Sequence, residues 1–515
     1  MSRRLAGNVI WNWSGMAVTM VTGFIVAPVL VHRLTDSVYG LWILIASMSG
    51  YFGLLDLGVR GSVGRYIAFY RARGEQRQMN VTLSTAVTIL TGVAVLTLLA
   101  TLLVLLVFFH LFDVPEVYVG AARLAIIIIG INLAITFPVS VFDGVLWGHE
   151  RFDLLNAADI PVSLLRLVLT VWLVQGPNDI VTLAWITLLT TAGNELAKVV
   201  MSFRINPGLR LSFRLFERAS AVQLYGYGLW QFVLQIARQI GGQLGPLLIG
   251  GIVSVSAVTP YSIASRLITY LSQFIVAATG VLTPLATTLH ARSDVEREQQ
   301  LYVQGGKWCI SLALLAGAAI ALLGGALLKL WMGPRFVPAA YPMLLVLTVG
   351  EVLPMSQWLT YSILLGKARH RAVAMASLAE GLIAALGGVW AARHFGAMGV
   401  CVVFAAASFA LRGAFLLMYG SRVLSVPLMR YMAGAVMPAI EAAVLPVGLL
   451  VLAMMWHTPT TWVQLAVYAT AFGVAHAGSA VWFLGAGKYL RTKLEALYGR
   501  SEQVALAQTA EDAHV

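Results

Sequence analysis

Apolar runs of about twenty residues, the length a membrane-spanning helix needs, follow one another along this chain with short breaks between them. Fourteen such segments can be marked, at roughly 8–31, 38–57, 81–109, 120–146, 156–175, 180–203, 221–250, 257–289, 304–332, 340–366, 372–392, 398–420, 431–456 and 460–486. They are too long and too continuously apolar for the alternating strands of a transmembrane barrel. The expected fold is therefore all-α, a polytopic membrane protein of about 14 transmembrane helices. An even number places both termini on one side.

Polar residues inside these runs recur at helical spacing. In the seventh span Gln231, Gln235, Arg238, Gly242 and Gly245 follow at steps of 4, 3, 4 and 3, which is one helix face. An arginine deep in a span costs about 3 kcal/mol or more unless it faces protein or water, so the stripe marks either a polar cavity or a buried ion pair. The fifth span carries Asp159, Ser163, Arg166 and Thr170 on one face, and the sixth Thr187, Thr191, Asn194 and Lys198. The first carries Asn8, Asn12, Gly15 and Thr19, and the eighth Arg266, Thr269 and Gln273. Stripes on so many helices point to a central hydrated cavity.

Charge sets the orientation. The chain is 59% hydrophobic and 11% charged, against about 25% charged for soluble domains. Of its 34 Lys and Arg, 24 fall at one set of ends and loops, 5 at the other and 5 inside spans. That bias places both termini in the cytoplasm. Met1-Ser2-Arg3-Arg4 leads into a run above 20 residues without a clear cleavage site, which reads as a retained first span. Cys309 and Cys401 lie in apolar runs and read as small buried hydrophobes, with no metal or disulfide framework. No soluble domain is inserted and no GxxxxGK[ST] sequence occurs. A single-chain ATP-driven pump is thus excluded, and neither nucleic acid, nucleotide nor cofactor is expected.

A weak internal repeat, Pro28-Val29-Leu30 before Tyr39 and Pro246-Leu247-Leu248 before Tyr261, points to two six-helix bundles. The expected division is an N-terminal lobe over 1–203, a cytoplasmic linker over 204–220 and a C-terminal lobe over 221–420. Two additional spans over 421–487 and a cytoplasmic tail over 488–515 complete it.

The run Tyr39-Gly40-Leu41-Trp42, Gly50-Tyr51-Phe52, Asp56-Leu57-Gly58 and Arg65-Tyr66-Ile67-Ala68, with the later Gly148-His149-Glu150-Arg151-Phe152 and Asn156, resembles a known branch of transporters. It is the polysaccharide-transport branch of the multidrug/oligosaccharidyl-lipid/polysaccharide flippase superfamily, with its Wzx-type O-antigen flippases. The likeness is carried by the N-terminal lobe. It implies a V-shaped, MATE-like two-bundle carrier working by alternating access, and not an enzyme. The implied cargo is an undecaprenyl-pyrophosphate-linked oligosaccharide, moved across a bacterial inner membrane for cell-surface polysaccharide synthesis. Membrane lipids and other polysaccharide-assembly proteins are the implied partners.

For such a cargo, Arg238, Arg266 and Arg166, with Gln235 and Gln231, are the candidate substrate-binding residues, because a guanidinium fork matches pyrophosphate oxygens. The other reading pairs each arginine with a carboxylate on a neighbouring helix. Glu351, Glu441 and Asp159, with Asp143, are intramembrane carboxylates that could couple transport to ions, since burial favours proton binding. Arg412 and Glu380 lie at similar depth on adjacent spans and read as an ion pair. Lys198, beside Glu195, reads as snorkelling to the interface, and Asp56 as a partner of Arg60 or Arg65. The basic cluster Arg60, Arg65, Arg71, Arg73 and Arg77 at the cytoplasmic mouth serves either topology and lipid contact, at about 1 kcal/mol per charge, or capture of the cargo's pyrophosphate. Two alternatives remain: a cation-coupled multidrug exporter of the same superfamily, which would want acidic residues within its lobes, and a polytopic glycosyltransferase or polymerase. For the latter, Asp113 and Glu116 stand in a connection too short to form a substrate platform.

Overall fold

The structure, a computed structural model, describes residues 3–485 except 57, 280, 281, 283–285, 287, 288, 290–293 and 368. For 3–10, 227–231, 233, 234, 237, 238, 240, 241 and 370 only the backbone is described. Eleven described helical runs are long and apolar enough to cross a membrane. One of these, Arg371–Val423, contains Gly396 at φ 62°, ψ −151°, which breaks it into two traverses. With two further helices, α9 (Arg218–Ile252) and α10 (Val258–Thr279), the count reaches the fourteen expected. The fold is all-α and polytopic.

By their contacts the residues form two compact units, one of Met1–Tyr270, Pro338–Met343 and Ala374–Ala407, the other of Leu271–Val337, Leu344–Val373 and Ser408–Val515. The first unit holds α1 (Arg3–Arg33), α2 (Asp36–Phe52), α3 (Val59–Ala72), α4 (Gln76–Leu111), α5 (Glu116–Val139), α6 (Val141–Gly148), α7 (Phe152–Leu173) and α8 (Ile180–Ile205). It also holds α9 and α10 as far as Tyr270.

Two features of this unit position the site. The break between the second and third apolar segments holds helix α3, because Val59, Val63 and Ile67, one of its faces, are fully buried against Met79, Leu83 and Leu90 of α4 and Phe137, Val141 and Val145. Gly144 and Gly148 of α6, one turn apart, let that helix lie directly on α3. A Cβ at Gly144 would stand 3.0 Å from the Gly64 nitrogen, and one at Gly148 2.9 Å from the Gly64 oxygen. This is the small-residue crossing that membrane helices use for close approach. On the far side of α4, Leu96, Leu99, Leu103 and Leu106 are 53–70% exposed at steps of 3, 4 and 3, a lipid-facing stripe. At the opposite end of the bundle, Arg33 donates to the carbonyls of Val171 and Val174, closing the C-terminus of α7, where those oxygens have no helical partner.

In the second unit the helix Val295–Met332 packs against Met437–Trp456 and Trp462–Phe483 through Leu323, Leu450, Leu465 and Phe472. The last two spans are thus built into its core. Ser311 bonds His476 at 2.8 Å, and Lys307 Nζ donates to the Leu484 carbonyl at 2.8 Å. Tyr302 and Tyr431 stack with ring centroids 4.5 Å apart.

A charged cavity in the first unit as candidate functional site

Lys198, expected at the interface, is buried instead. Its side chain is 7% exposed, and its Nζ lies 2.9 Å from Asp143 Oδ1, 3.1 Å from Asp159 Oδ1 and 3.9 Å from Glu195 Oε1. The snorkelling reading is corrected by this geometry. Three carboxylates from α6, α7 and α8 hold the ammonium inside the unit more strongly than hydration draws it out. Asn194 Nδ2 also donates to Asp159 Oδ1 at 2.8 Å, and Glu195 Oε2 has no hydrogen-bond partner among the described residues.

These groups flank a cavity of about 470 Å³ lined by Asn12, Arg60, Gly61, Gly64, Asp143, Gly144, Trp147, Phe152, Leu155, Asn156, Asp159 and Lys198. Each wall has a local cause. Asn156 reaches across from α7 to Asn12 of α1 at 3.3 Å, beside Gly15, where any Cβ would strike its amide. Asp56 is held by the Gly58 amide at 2.9 Å and lies 3.7 Å from Arg60, one of the two partners expected for it. Arg60 also lies 5.6 Å from the Phe137 ring. Trp147 leans against Gly64, is half-exposed, and meets Phe152 edge-on at 6.3 Å. Lys198 and Arg60 thus share the cluster with four carboxyl groups, those of Asp56, Asp143, Asp159 and Glu195. Amides, carboxylates and one indole face offer hydrogen bonds and a flat apolar surface together.

The basic cluster does not act as one patch. Arg60 turns to the cavity, whereas Arg71 donates to the Gly148 carbonyl at 3.3 Å, closing α6. Arg73 lies over the Phe69 ring at 4.1 Å, and Arg65 is exposed beside Tyr66. In the turn after α6, burial first and then Arg71 hold the His149 imidazole below its usual range, and Glu150 at φ 56° reverses the chain into α7.

The candidate substrate residues are dispersed. Arg166 is engaged by Thr190 Oγ1 at 3.0 Å and Thr191 Oγ1 at 2.9 Å, not by Asp159. Gln235 donates to the Gly53 carbonyl at 3.0 Å and Gln239 to that of Gly50, and Gly245 faces the Tyr261 hydroxyl. Gln235 and Gly245 of the stripe therefore fasten α9 to the turn after α2 and to α10, and Gln239, outside the stripe, fastens it to α2. The side chains of Arg238 and Gln231 lie outside the described residues. Arg266 stands beside the phenols of Tyr39 and Tyr270.

Among the coupling candidates, Glu351 is paired with Arg412, which also donates to Ser408 at 2.7 Å. Arg412 sits in the π-helical stretch Phe409–Phe415, the kind of local widening that recurs where a helix carries a functional group. Glu441 is exposed. Of the four candidates, Asp159 and Asp143 join the cavity.

The polar stripes of α1, α7 and α8 each supply a wall of this cavity, Asn12, Asp159 and Lys198, whereas Trp147 and Arg60 as walls, and Lys198 as the centre of a carboxylate cluster, do not follow from the stripes. Asp143, Asp159 and Lys198 lie at similar depth from the same ends of consecutive spans, and that signal was available.

The family model for "Polysaccharide biosynthesis protein" matches residues 5–290. The chain is 20% identical over 379 residues to a Shigella flexneri protein named "Putative O-antigen transporter", covering 72% of this chain and 87% of that one. It is also 20% identical over 325 residues to "Uncharacterized membrane protein EpsK" of Bacillus subtilis (strain 168), covering 62% of this chain and 63% of the other, under two thirds of its length. Two solved structures share the fold. The lipid II flippase MurJ in an inward closed conformation has a TM-score of 0.69 at 11% identity, over 92% of this chain and 98% of that one. An inward-facing multidrug resistance MATE family transporter of the MOP superfamily has a TM-score of 0.62 at 16% identity, over 79% and 99%. The chain belongs to the polysaccharide biosynthesis protein family.

Proposed function

We propose that this protein is an alternating-access flippase that moves an undecaprenyl-pyrophosphate-linked oligosaccharide across the bacterial inner membrane, with both termini cytoplasmic and without enzymatic turnover. The observation that carries the reading is the cavity of the first unit, in a chain of this family: amides of Asn12 and Asn156, carboxylates of Asp143 and Asp159, and the open face of Trp147. Sugars offer hydroxyl groups to such polar atoms and apolar faces to an indole. Arg238 and Arg266 remain the proposed contacts for the pyrophosphate, while Arg166 would have to exchange its threonine partners to join them. For ion coupling, Asp159 within the Lys198 cluster is favoured over Glu351, which already holds Arg412.

A second reading has an observation of its own. The excess of carboxylates around Lys198 suits a cation-coupled exporter of organic cations. One comparison separates the two. In proteoliposomes, the protein is expected to translocate a fluorescent undecaprenyl-pyrophosphate glycan, with Trp147→Ala slowing it at least tenfold and Arg238→Ala abolishing it at unchanged expression. Ethidium transport without glycan translocation would reverse the assignment. Full glycan transport by Arg238→Ala would remove that arginine from the site.

A further inference from the structure

The segment after α8 is fastened to α4 by a ladder of side chains. Asn206 Nδ2 donates to Gln76 Oε1 at 3.1 Å, and Asn80 both donates to the Gly208 carbonyl at 3.0 Å and accepts from the Arg210 amide at 3.1 Å. Ser84 Oγ accepts from the Ser212 amide at 3.2 Å, and Thr85 Oγ1 from the Glu217 amide at 3.1 Å. Leu209 is buried with Val63 and Leu83 in the core of the unit. The strap's backbone is therefore spent on α4, and its remaining side chains are turned outward. Leu211, Phe213 and Phe216 are exposed, at 41, 69 and 46%, as are Arg210, Arg214 and Arg218.

The depth of this strap follows from α4 itself. Its 36 residues span about 54 Å at 1.5 Å per residue, far more than the roughly 30 Å of hydrocarbon in a bilayer. The lipid-facing leucines begin near Leu96, so the ladder at residues 76–85 runs from about 16 Å to about 30 Å away from them along the helix. Its near end, Ser84 and Thr85, carries the 212–217 part of the strap and falls toward the headgroup level. Aromatic and basic side chains together are what such an interface selects, and within 204–218 four arginines face one glutamate.

We infer that the strap 206–217 is a docking surface for anionic phospholipids of the protein's own membrane: Phe213 and Phe216 enter the interface and Arg210, Arg214 and Arg218 hold headgroup phosphates. The inference is independent of the cargo. At about 1 kcal/mol per basic residue near an anionic surface, three arginines together supply roughly a hundredfold preference over zwitterionic lipid if additive.

The test uses the full chain carrying Phe213→Cys labelled with bimane, in vesicles of phosphatidylcholine with or without phosphatidylglycerol. Brominated acyl chains are placed on one lipid or the other at equal mole fraction. Both native cysteines are buried, so the label reports the strap. Expected are quenching by either brominated lipid, at least threefold stronger from phosphatidylglycerol, and loss of that preference in R210Q/R214Q/R218Q with the quenching depth unchanged. No quenching would overturn the inference by placing the strap in water. Equal quenching by both lipids, or a preference that survives the triple substitution, would overturn the headgroup assignment. Because the arginines are exposed, the triple variant is expected to keep the parent's elution profile. A misfolded product would also overturn the inference, since it would make those side chains structural.

Discussion

Replacing Lys198 by methionine keeps the length of the side chain and removes its charge. Asp143, Asp159 and Glu195 then face one another without the ammonium that lies 2.9, 3.1 and 3.9 Å away from them. Removing one partner from a fully buried pair costs about 3–5 kcal/mol. Here Asp143 and Asp159 are 35 and 46% exposed while Glu195 is 8% exposed, so partial hydration lowers the expected cost to about 2–3 kcal/mol. At about 2 °C per kcal/mol for a unit of this size, the melting temperature of Lys198→Met in detergent falls by about 4–6 °C. The same reasoning demands a recovery. Adding Asp143→Asn and Asp159→Asn to Lys198→Met removes most of the uncompensated charge, and at least half of the lost stability should return. Parent-like melting of Lys198→Met, or a triple variant less stable than the single one, would refute the account of this cluster.

Two further outcomes follow from the packing. Gly148→Val forces its side chain against the Gly64 carbonyl and Ile67, and overpacking of this kind costs about 1–3 kcal/mol; a lower melting temperature and a weaker peak in size exclusion are expected, while Gly92→Ala, in open space, should leave both unchanged. In the second unit, Arg412→Met leaves Glu351 without its cation and with the Ser408 hydroxyl as donor, and should lower the melting temperature more than the double variant with Glu351→Gln, giving a coupling of about 1–3 kcal/mol in a double-mutant cycle.

The architecture was legible because apolar run length is almost the only constraint a bilayer places on a helix, and the fourteen runs state it directly. Helix α3 was missed for the opposite reason: Val59, Val63 and Ile67 form its buried face at steps of 4, but Arg60, Arg65 and Arg71 on the other faces lower its mean hydropathy to that of a loop. The site was half legible. Stripes on α1, α7 and α8 declare polar faces, yet a stripe does not say whether it meets space or another helix. Gln235 meets the Gly53 carbonyl, and Arg166 two threonines. Lys198 reads from the sequence as snorkelling to the interface because only Glu195, at i−3, is visible in its own helix, while Asp143 and Asp159 belong to two others.

Gly396 bears on where this polypeptide can be lengthened. It makes the only non-helical step between two traverses, a Cβ there would meet nothing within 4 Å, and its positive φ is the one demand on the position. Each doubling of a flexible loop adds only about 0.6 kcal/mol of closure entropy. A short epitope inserted after Gly396 should therefore be carried at little loss and report which face of the membrane this turn occupies. The same epitope between Asn206 and Ser212 would cut through backbone groups already bonded to α4.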